Sequence, residues 1–416
     1  LVGGECPYWG CVPSKMMIRA ANALAEGRRI PQLAGSSEVT AQWEPVARRI
    51  RDEATDNWND QVAVDRFINQ GGHFVRGSGQ LVSANEVQVG DDTYTAGKAV
   101  VVSVGLHASI PPIPGLDGTP YWTNREAIET HEVPESMIVM GGGAIGVELS
   151  QVFARFGCKV TIVEGADRIV AAEEPEASEV LTAVLQAEGI EIHTGNFASK
   201  VTHSQHGFEV TVGDAVLTAQ KLLVATGRAP NSKEVGLDVL DVELNHGYPP
   251  VDDHLRIVPG VYAVGDIAGK GAFTHMAMYH AGIVERAILG QEGPGADYTA
   301  VSRVTFTDPE LGSVGMSEQQ ARDAGLNVAV GLAQVPSVSR GWIHKVGNEG
   351  IIKVVADADR GVLVGGTAMA YSGGEVLSGI AMAVRGQVPI ATMKNMIYAY
   401  PTIWRGLENA VQATGL

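Results

Sequence analysis

Two cysteines near the start of the chain have the spacing of a thiol pair that can form and break a disulfide. Cys6 and Cys11 are separated by four residues, and the 416-residue chain contains only one further cysteine. This spacing lets the two thiols meet across one turn with little backbone movement. Pro13 and Ser14 favour the first turn of a helix, whose N-terminal partial charge stabilises a thiolate at Cys11. We therefore predict a redox pair.

Two other uses of this pair stay open. A zinc site needs a second pair of Cys or His ligands at suitable spacing, and the nearest histidine, His73, has none. A structural disulfide is typical of small secreted chains, whereas this chain is large and its third cysteine is Cys158. We expect no signal peptide and a cytoplasmic location, which favour a catalytic pair.

Composition limits the possible partners. The chain has 30 Lys and Arg against 47 Asp and Glu, a formal net charge of −17. Such a surface repels nucleic acid and anionic membranes, so we expect neither as a partner. No apolar run reaches the length of a membrane span. The length predicts two or three domains.

A glycine-rich motif in the middle of the chain is typical of dinucleotide binding. An apolar run at 137–140 leads into Gly141-x-Gly143-x-x-Gly146, and an apolar helical pattern follows. A second apolar run at 159–163 ends in Glu164. This order predicts a βαβ unit with a pyrophosphate at the helix N-terminus. The alternative is a glycine-rich turn without a ligand.

Charged residues at two predicted strand ends suggest the choice of cofactor. Glu164 can accept hydrogen bonds from free ribose hydroxyls and would repel a 2′-phosphate, so NADH is favoured over NADPH. Arg168 lies close enough in sequence to keep NADPH open. The apolar run at 260–264 ends at Gly265, and Asp266 follows. Asp266 could bind a hydroxylated cofactor chain, or it could simply lie where a strand passes into a loop.

Together these motifs resemble the flavin-dependent pyridine nucleotide–disulfide oxidoreductases, the family of dihydrolipoamide dehydrogenase, glutathione reductase and mercuric reductase. The resemblance runs essentially end to end. It rests on the Cys6/Cys11 loop, Ser103-Val104-Gly105, Pro111-Pro112-Ile113-Pro114-Gly115, the glycine motif, the run from Ala225 to Asn231, Gly265-Asp266, and the segment from Phe306 to Glu318.

The resemblance implies an α/β fold with two Rossmann-like dinucleotide-binding domains, for FAD and NAD(P), and a C-terminal α+β interface domain that forms a homodimer. The implied bounds are 1–115 with 245–295 for the FAD domain, 116–244 for the NAD(P) domain and 296–416 for the interface domain. Within these domains, the pattern predicts one or two amphipathic helices over 42–69, with Trp43, Ile50, Trp58 and Phe67 facing inward.

The resemblance also implies roles for individual residues. Cys6 would exchange with substrate, Cys11 would lie against the flavin, and Lys15 would lie beside the flavin and pair with Glu148. The residues implied to hold FAD are Lys15, Gly79, Gly105, Asp266 and Thr274. Those implied to hold the nicotinamide nucleotide are Gly141, Gly143, Gly146, Glu164 and Gly227.

The implied reaction passes electrons from NADH through FAD to the Cys6–Cys11 disulfide and on to a small-molecule acceptor, such as a disulfide or a quinone. Three alternatives stay open: a flavin diaphorase or quinone reductase with idle cysteines, a mercuric reductase-like enzyme, and an inactive NAD-binding homologue. No metal site is expected.

The chain departs from the family pattern at two places. Members begin with a strand and a glycine motif that holds FAD, ahead of the redox loop, and this sequence starts too late to contain them, so we expect a fragment. Disulfide reductases of the family end with a His-Pro-Thr segment followed by a Glu. Here Tyr400 stands at the His position and Arg405 at the Glu position.

This second departure changes the expected acceptor. A tyrosine is a poor proton shuttle near neutral pH, so we expect inefficient turnover of dihydrolipoamide or glutathione disulfide. The segment 410–416 contains no cysteine pair of the kind that delivers mercury. Tyr400, Trp404 and Arg405 suggest either a pocket for a planar or anionic acceptor or a packed, salt-bridged helix.

Overall fold

The computed structural model describes residues 1–416, with twelve α-helices and twenty β-strands. The helices are α1 (Cys11–Arg29), α2 (Glu44–Arg49), α3 (Gln61–Asn69), α4 (Asn124–Glu129), α5 (Ala144–Arg155), α6 (Pro175–Ala187), α7 (Thr274–Leu289), α8 (Glu318–Asp323), α9 (Ser339–His344), α10 (Gly373–Arg385), α11 (Ile390–Lys394) and α12 (Trp404–Ala413). None of them combines the length and the apolar character that crossing a membrane requires.

The strands are β1 (Gly79–Ser83), β2 (Glu86–Val89), β3 (Asp92–Thr95), β4 (Val100–Val102), β5 (Leu106–Ala108), β6 (Ser136–Met140), β7 (Lys159–Val163), β8 (Glu191–His193), β9 (Ala198–Ser204), β10 (Gly207–Val212), β11 (Ala215–Ala219), β12 (Lys221–Val224), β13 (Arg228–Pro230), β14 (Arg256–Val258), β15 (Val261–Ala263), β16 (Ser302–Thr305), β17 (Glu310–Gly315), β18 (Val328–Gln334), β19 (Ile351–Asp357) and β20 (Val362–Ala370).

The chain divides into two compact units. Unit 1 comprises Leu1–Cys6, Trp58–Ser109 and Gly227–Tyr298, and unit 2 comprises Pro7–Asn57, Ile110–Thr226 and Thr299–Leu416. Each unit is therefore built from three separate stretches of sequence. The domain bounds given above from the resemblance stay predictions.

Unit 1 contains three small sheets. The strand orders are β1-β2-β3, β13-β5 and β14-β15-β4, and β15 runs parallel to β4. Val102 of β4 and Ala263 of β15 share a buried core with Ile283 and Val284 of α7. Because parallel strands end at the same edge of a sheet, the residues that follow β4 and β15 leave from one edge. Gly105 and Asp266 follow these two strands.

Unit 2 contains the predicted βαβ unit. Its four-stranded parallel sheet has the order β12-β6-β7-β8, and α5 connects β6 to β7. Met137–Met140 of β6 are at most 2% exposed, as expected for a strand covered on both faces. This part of the prediction is confirmed.

The C-terminal part of unit 2 is an antiparallel sheet with helices. The strand order is β16-β17-β20-β19-β18, and residues of α10 and α12 share its buried core. Ile352 and Val354 of the sheet and Ile380 of α10 are fully buried. This part of the chain therefore has the α+β character that the resemblance implied.

The inward position predicted for Phe67 is wrong. The helical stretch that begins at α2 continues through a π-helix over Ile50–Ala54 and then breaks, because Asp56, Asn57 and Trp58 have left-handed φ angles of 47°, 54° and 55°. The residue of α3 that is buried is Val64. Phe67 is 46% exposed, because its ring packs on the backbone of Gly72 at the surface.

A buried ammonium joins α6, α8 and β19 within unit 2. Lys353 is 2% exposed, and its Nζ lies 2.8 Å from Glu174, 2.8 Å from Glu176 and 2.9 Å from Glu318. Burial alone lowers the pKa of Lys353, but hydrogen bonds to the three carboxylates outweigh it and hold that pKa above its ordinary value. The ammonium thus compensates the buried Glu174 carboxylate, which burial alone would destabilise, and it also pairs with the partly exposed Glu176 and Glu318.

Replacing Lys353 with Met should lower the free energy of unfolding by about 3–5 kcal/mol, because the buried Glu174 carboxylate would lose its cation, and Glu318 would keep only Arg322. Urea denaturation followed by circular dichroism measures this. Arg360→Met is the matched control, since Arg360 is 50% exposed and lies 3.8 Å from Asp357, so its loss should cost less than about 1 kcal/mol. If both variants lost the same free energy of unfolding, Lys353 would not be the cation that stabilises these carboxylates.

Candidate active site

The cysteine loop, which starts at Cys6, leads directly into α1. Cys11 is the first residue of this helix and is exposed, whereas Cys6 is half-buried. Gly10 is the N-cap residue and caps without a side chain, and the Ser14 N–H donates to the Gly10 carbonyl at 3.0 Å. The first turn contains no acidic residue, so the partial positive charge of the helix N-terminus is not offset there. This position favours a thiolate at Cys11.

One turn after Cys11, the Lys15 ammonium pairs with a buried carboxylate. Lys15 Nζ lies 2.8 Å from Glu148 Oε2 and 4.7 Å from the centre of the Phe306 ring. The other oxygen, Glu148 Oε1, accepts a hydrogen bond of 2.7 Å from the Phe306 N–H. The Glu148 side chain is 7% exposed. The contact between Lys15 and Glu148 that the resemblance implied is present, and it joins α1 to α5.

The glycine motif makes the tight turn between β6 and α5. Gly141 has a φ of +108°, and a Cβ there would lie 2.3 Å from the Ala225 carbonyl oxygen. A Cβ on Gly146 would lie 1.9 Å from the Gly141 carbonyl oxygen, so the helix can approach the turn only without a side chain. Gly143 is the N-cap residue of α5, and the space beside its Cα is open.

Glu164 follows β7 and is held against the glycine turn. Its Oε2 accepts the Gly142 N–H and its Oε1 accepts the Ala166 N–H, both at 2.7 Å. Arg168 donates instead to the carbonyls of Ala171 and Glu173, at 2.9 and 3.0 Å. The carboxylate is therefore fixed beside the N-terminus of α5, while the nearby guanidinium is bound to its own loop.

These residues fit a nicotinamide dinucleotide. The open space at Gly143 and the backbone N–H groups that begin α5 suit a pyrophosphate. Each Glu164 oxygen accepts one backbone N–H, which leaves a further lone pair on each for a ribose hydroxyl. Gly227, which was grouped with this set, belongs to unit 1, whereas the other four residues belong to unit 2.

In unit 1, a half-buried carboxylate follows β15. Asp266 lies in a 3₁₀ turn over Gly265–Ala268, and no hydrogen bond reaches its side chain. Burial raises the pKa of Asp266, the charge of Arg228 opposes this rise, and the charge of Glu5 adds to it. Arg228 forms an ion pair with Glu5 and donates to the Leu106 carbonyl at 2.8 Å.

The residue types around Asp266 fit a flavin dinucleotide. A half-buried carboxylate without a donor suits the hydroxyl groups of a ribityl chain or a ribose. The remaining residues implied for FAD in unit 1 are Gly79 at the start of β1, Gly105 after β4 and exposed Thr274 at the start of α7. The sequence does not indicate the ion pair of Arg228 and Glu5, although Arg228 lies inside the run from Ala225 to Asn231 and Glu5 directly precedes Cys6.

Of the C-terminal residues proposed as an acceptor pocket, Trp404 and Arg405 make packing and ion-pair contacts, whereas Tyr400 is exposed. Tyr400 is 69% exposed. The Trp404 ring packs on Gly379 of α10, where a Cβ would lie 1.6 Å from it. Arg405 Nη1 lies 2.5 Å from Glu408 Oε2, one turn along α12. These contacts favour the packed, salt-bridged helix. No group of three or more His, Cys, Asp or Glu side chains is placed to hold a metal.

Two family models together match most of the chain. Residues 1–281 match the family described as pyridine nucleotide-disulphide oxidoreductase, and residues 301–411 match the dimerisation domain of the same family. The fold class implied by the resemblance is thereby confirmed, with dinucleotide-binding domains followed by a dimerisation domain.

Curated relatives cover nearly the whole chain. A mercuric reductase from Acidithiobacillus ferrooxidans is 32% identical over 421 residues, which is 99% of this chain and 76% of the relative. A dihydrolipoyl dehydrogenase from Chlorobaculum tepidum is 33% identical over 427 residues, which is 99% of this chain and 89% of the relative.

Solved structures share the fold. The HOCl-induced flavoprotein disulfide reductase RclA from Escherichia coli superposes with a TM-score of 0.85 at 23% identity, and covers 99% of this chain and 91% of its own. LpdA from Mycobacterium tuberculosis superposes with a TM-score of 0.86 at 23% identity, with the same two coverages.

The two helix-proximal glycines of the motif should respond differently to Ala. Gly146→Ala should lower the free energy of unfolding by about 1–3 kcal/mol, because the added Cβ forces the backbone of α5 away from Gly141. Gly143→Ala should lower it by less than about 1 kcal/mol, because its Cβ meets open space and only the poorer N-cap preference of Ala opposes it. Chemical denaturation of both variants measures the difference, and a larger loss in Gly143→Ala would contradict the geometry.

Proposed function

Because the chain belongs to the pyridine nucleotide-disulphide oxidoreductase family, we propose that it passes electrons from NADH, with FAD, to a Cys6–Cys11 disulfide and then to a small-molecule acceptor. The observation that carries this proposal is the ion pair between Lys15 and Glu148. It connects the helix that begins at a candidate redox cysteine to the helix that begins at the dinucleotide motif.

Each part of the chain has a proposed binding role. Gly141, Gly143 and Gly146 leave room for the pyrophosphate of NADH at the start of α5, and Glu164 accepts its ribose hydroxyls. Lys15, Gly79, Gly105, Asp266 and Thr274 hold FAD, and Gly227 contributes to the nicotinamide nucleotide. When bound, the nicotinamide supplies a hydride and the flavin accepts and relays two electrons.

The cysteines and their neighbours perform the thiol chemistry. Cys11 holds a thiolate at the N-terminus of α1, where backbone N–H groups stabilise negative charge. Cys6 exchanges with the acceptor. The Lys15 ammonium is a fixed positive charge one turn from Cys11, because the buried Glu148 carboxylate and the Phe306 ring hold it in place.

The acceptor is proposed to differ from dihydrolipoamide and glutathione disulfide. Tyr400 occupies the position of the acid–base histidine, and a phenol is a weak proton shuttle near neutral pH. Disulfides, quinones and the mercuric ion are the acceptor classes to compare, the last because several relatives are named mercuric reductases. The segment 296–416 is proposed to form a homodimer.

Anaerobic NADH should convert the purified protein to a form with two new alkylatable thiols per chain and a broad long-wavelength absorption band. Cys11→Ser should abolish both changes, because the reducible disulfide and the thiolate beside the flavin are lost. Cys158→Ala is the control, since Cys158 is buried and its pKa is raised by burial to about 12. Alkylation with mass spectrometry and visible spectroscopy measure the two changes.

Two further observations would favour the alternative functions. Full turnover by Cys6→Ser with a quinone as acceptor would indicate a diaphorase with idle cysteines. A colourless protein that still binds NADH would indicate an inactive nucleotide-binding homologue.

NADH should be preferred to NADPH by at least about tenfold in kcat/KM, which corresponds to about 1.4 kcal/mol. The physical reason is repulsion between the Glu164 carboxylate and a 2′-phosphate, while hydrogen bonds to the carbonyls of Ala171 and Glu173 hold the Arg168 guanidinium against its own loop. Glu164→Gln should narrow the ratio, and the exposed neighbour Asp167→Asn should leave it unchanged. Steady-state kinetics with both nucleotides decide this, and an unchanged ratio in Glu164→Gln would contradict the assignment.

A further inference from the structure

The tryptophan between the two cysteines is held by three residues of α4. The Asn124 side-chain amide donates to the Trp9 carbonyl at 2.7 Å. Trp9 Nε1 donates to Glu129 Oε1 at 2.5 Å. The Arg125 guanidinium lies 4.6 Å from the centre of the Trp9 ring. The backbone, the ring edge and the ring face of Trp9 are therefore each contacted by the same helix.

The helix that holds Trp9 is itself fixed at both ends. At its start, Thr123 and Glu126 form a capping box, in which the Glu126 carboxylate accepts the Thr123 N–H. Just before it, Trp122 bonds to β12 through its N–H and its carbonyl, both at 2.7 Å. Just after it, the Thr130 carbonyl accepts the indole N–H of Trp43 at 2.9 Å. Because α4 is fixed to the parallel sheet of unit 2, it gives Trp9 a rigid support.

Holding Trp9 also constrains the start of α1. Trp9 lies two residues before Cys11, and only the N-cap residue Gly10 lies between them. On the other side, Tyr8 is buried, and its ring lies 5.9 Å from the ring of Trp9. Two of the four residues between the cysteines are thus anchored by their aromatic side chains.

We propose that α4 is a positioning element whose contacts with Trp9 hold the cysteine loop, residues 6–11, in a fixed conformation. This constraint shifts the equilibrium between the Cys6 and Cys11 thiols and their disulfide towards the disulfide. The inference rests on the proposed redox function of the two cysteines. Closing a disulfide ring orders the residues inside it, and a loop that is already ordered loses less conformational entropy on closure. Trp9 is a positioning residue, since it acts on the thiols through the backbone.

The equilibrium can be measured with dithiothreitol as the redox partner. The Cys6 and Cys11 thiols lose two electrons and two protons as their S–S bond forms. Oxidised dithiothreitol takes up both electrons and both protons as its own S–S bond breaks, and becomes the dithiol. The oxidised fraction at a series of buffer ratios, trapped by alkylation and read by mass spectrometry, gives the reduction potential.

Trp9→Ala should shift this equilibrium towards the dithiol by about tenfold, which corresponds to a potential about 30 mV less negative. Glu129→Ala removes the acceptor of the indole N–H, and Trp9→Phe removes that N–H while keeping an aromatic ring. Each should shift the equilibrium in the same direction by a smaller factor. Glu132→Gln is the matched control, because Glu132 is an exposed carboxylate just after α4, and it should match the wild type.

A second readout follows Cys11 alone. In a Cys6→Ser background, iodoacetamide alkylation at neutral pH reports the thiolate of Cys11, because Cys158 is buried with a pKa raised to about 12. Adding Trp9→Ala should slow this alkylation several-fold, because Cys11 would no longer be held at the N-terminus of α1. The thermal midpoint of each variant is measured in parallel.

The outcomes separate the two levels of inference. A wild-type chain whose Cys6 and Cys11 do not interconvert with dithiothreitol overturns the proposed function, and this inference with it. Interconversion with an unchanged potential in Trp9→Ala and Glu129→Ala overturns the positioning role alone. A lowered thermal midpoint with unchanged potential and alkylation rate likewise shows that Trp9 serves only stability. Glu129→Ala keeps the test valid if Trp9→Ala does not fold, since Glu129 is exposed.

Discussion

A row of buried polar side chains on α5 is the constraint on which the arrangement of the candidate site in unit 2 depends. Glu148, Gln151 and Arg155 recur at intervals of three and four residues, so they share one face of the helix. They are 6%, 3% and 4% exposed. Groups of this kind cannot be buried without partners, because an unpaired charge or amide in the interior costs several kcal/mol.

The partners of this row come from α1, from Glu188 just after α6, and from the segment before β17. Glu148 contacts Lys15 and the Phe306 N–H, and Gln151 exchanges two hydrogen bonds with the backbone of Asp308. The Asp308 carboxylate in turn accepts bonds from Arg155 and from Arg29, at the end of α1, at 2.8 Å each. Since α1 begins at Cys11 and α5 begins at the glycine turn, the row sets the register of these two helices.

The reactive and binding motifs are encoded locally, whereas the contacts that position them join residues far apart in the sequence. The glycine turn requires only three glycines directly after a strand, so neighbouring residues are enough to specify it. The contacts that hold Trp9, in contrast, span 115 and 120 residues of sequence, and Lys353 meets Glu174 across 179 residues. Local motifs supply reactive and binding groups, and distant contacts fix their positions.

The sequence alone determined the thiol spacing and the βαβ unit with Glu164 at its end, because each depends on residue type and period over a short stretch. Through the family resemblance it also led to the α+β character of the C-terminal part and to the pair of Lys15 and Glu148. Only the tertiary structure decided that Phe67 faces outward and that α4 holds Trp9. Those outcomes depend on which distant surface, such as the backbone of Gly72 or the side chains of α4, lies within contact distance, and no local pattern encodes that distance.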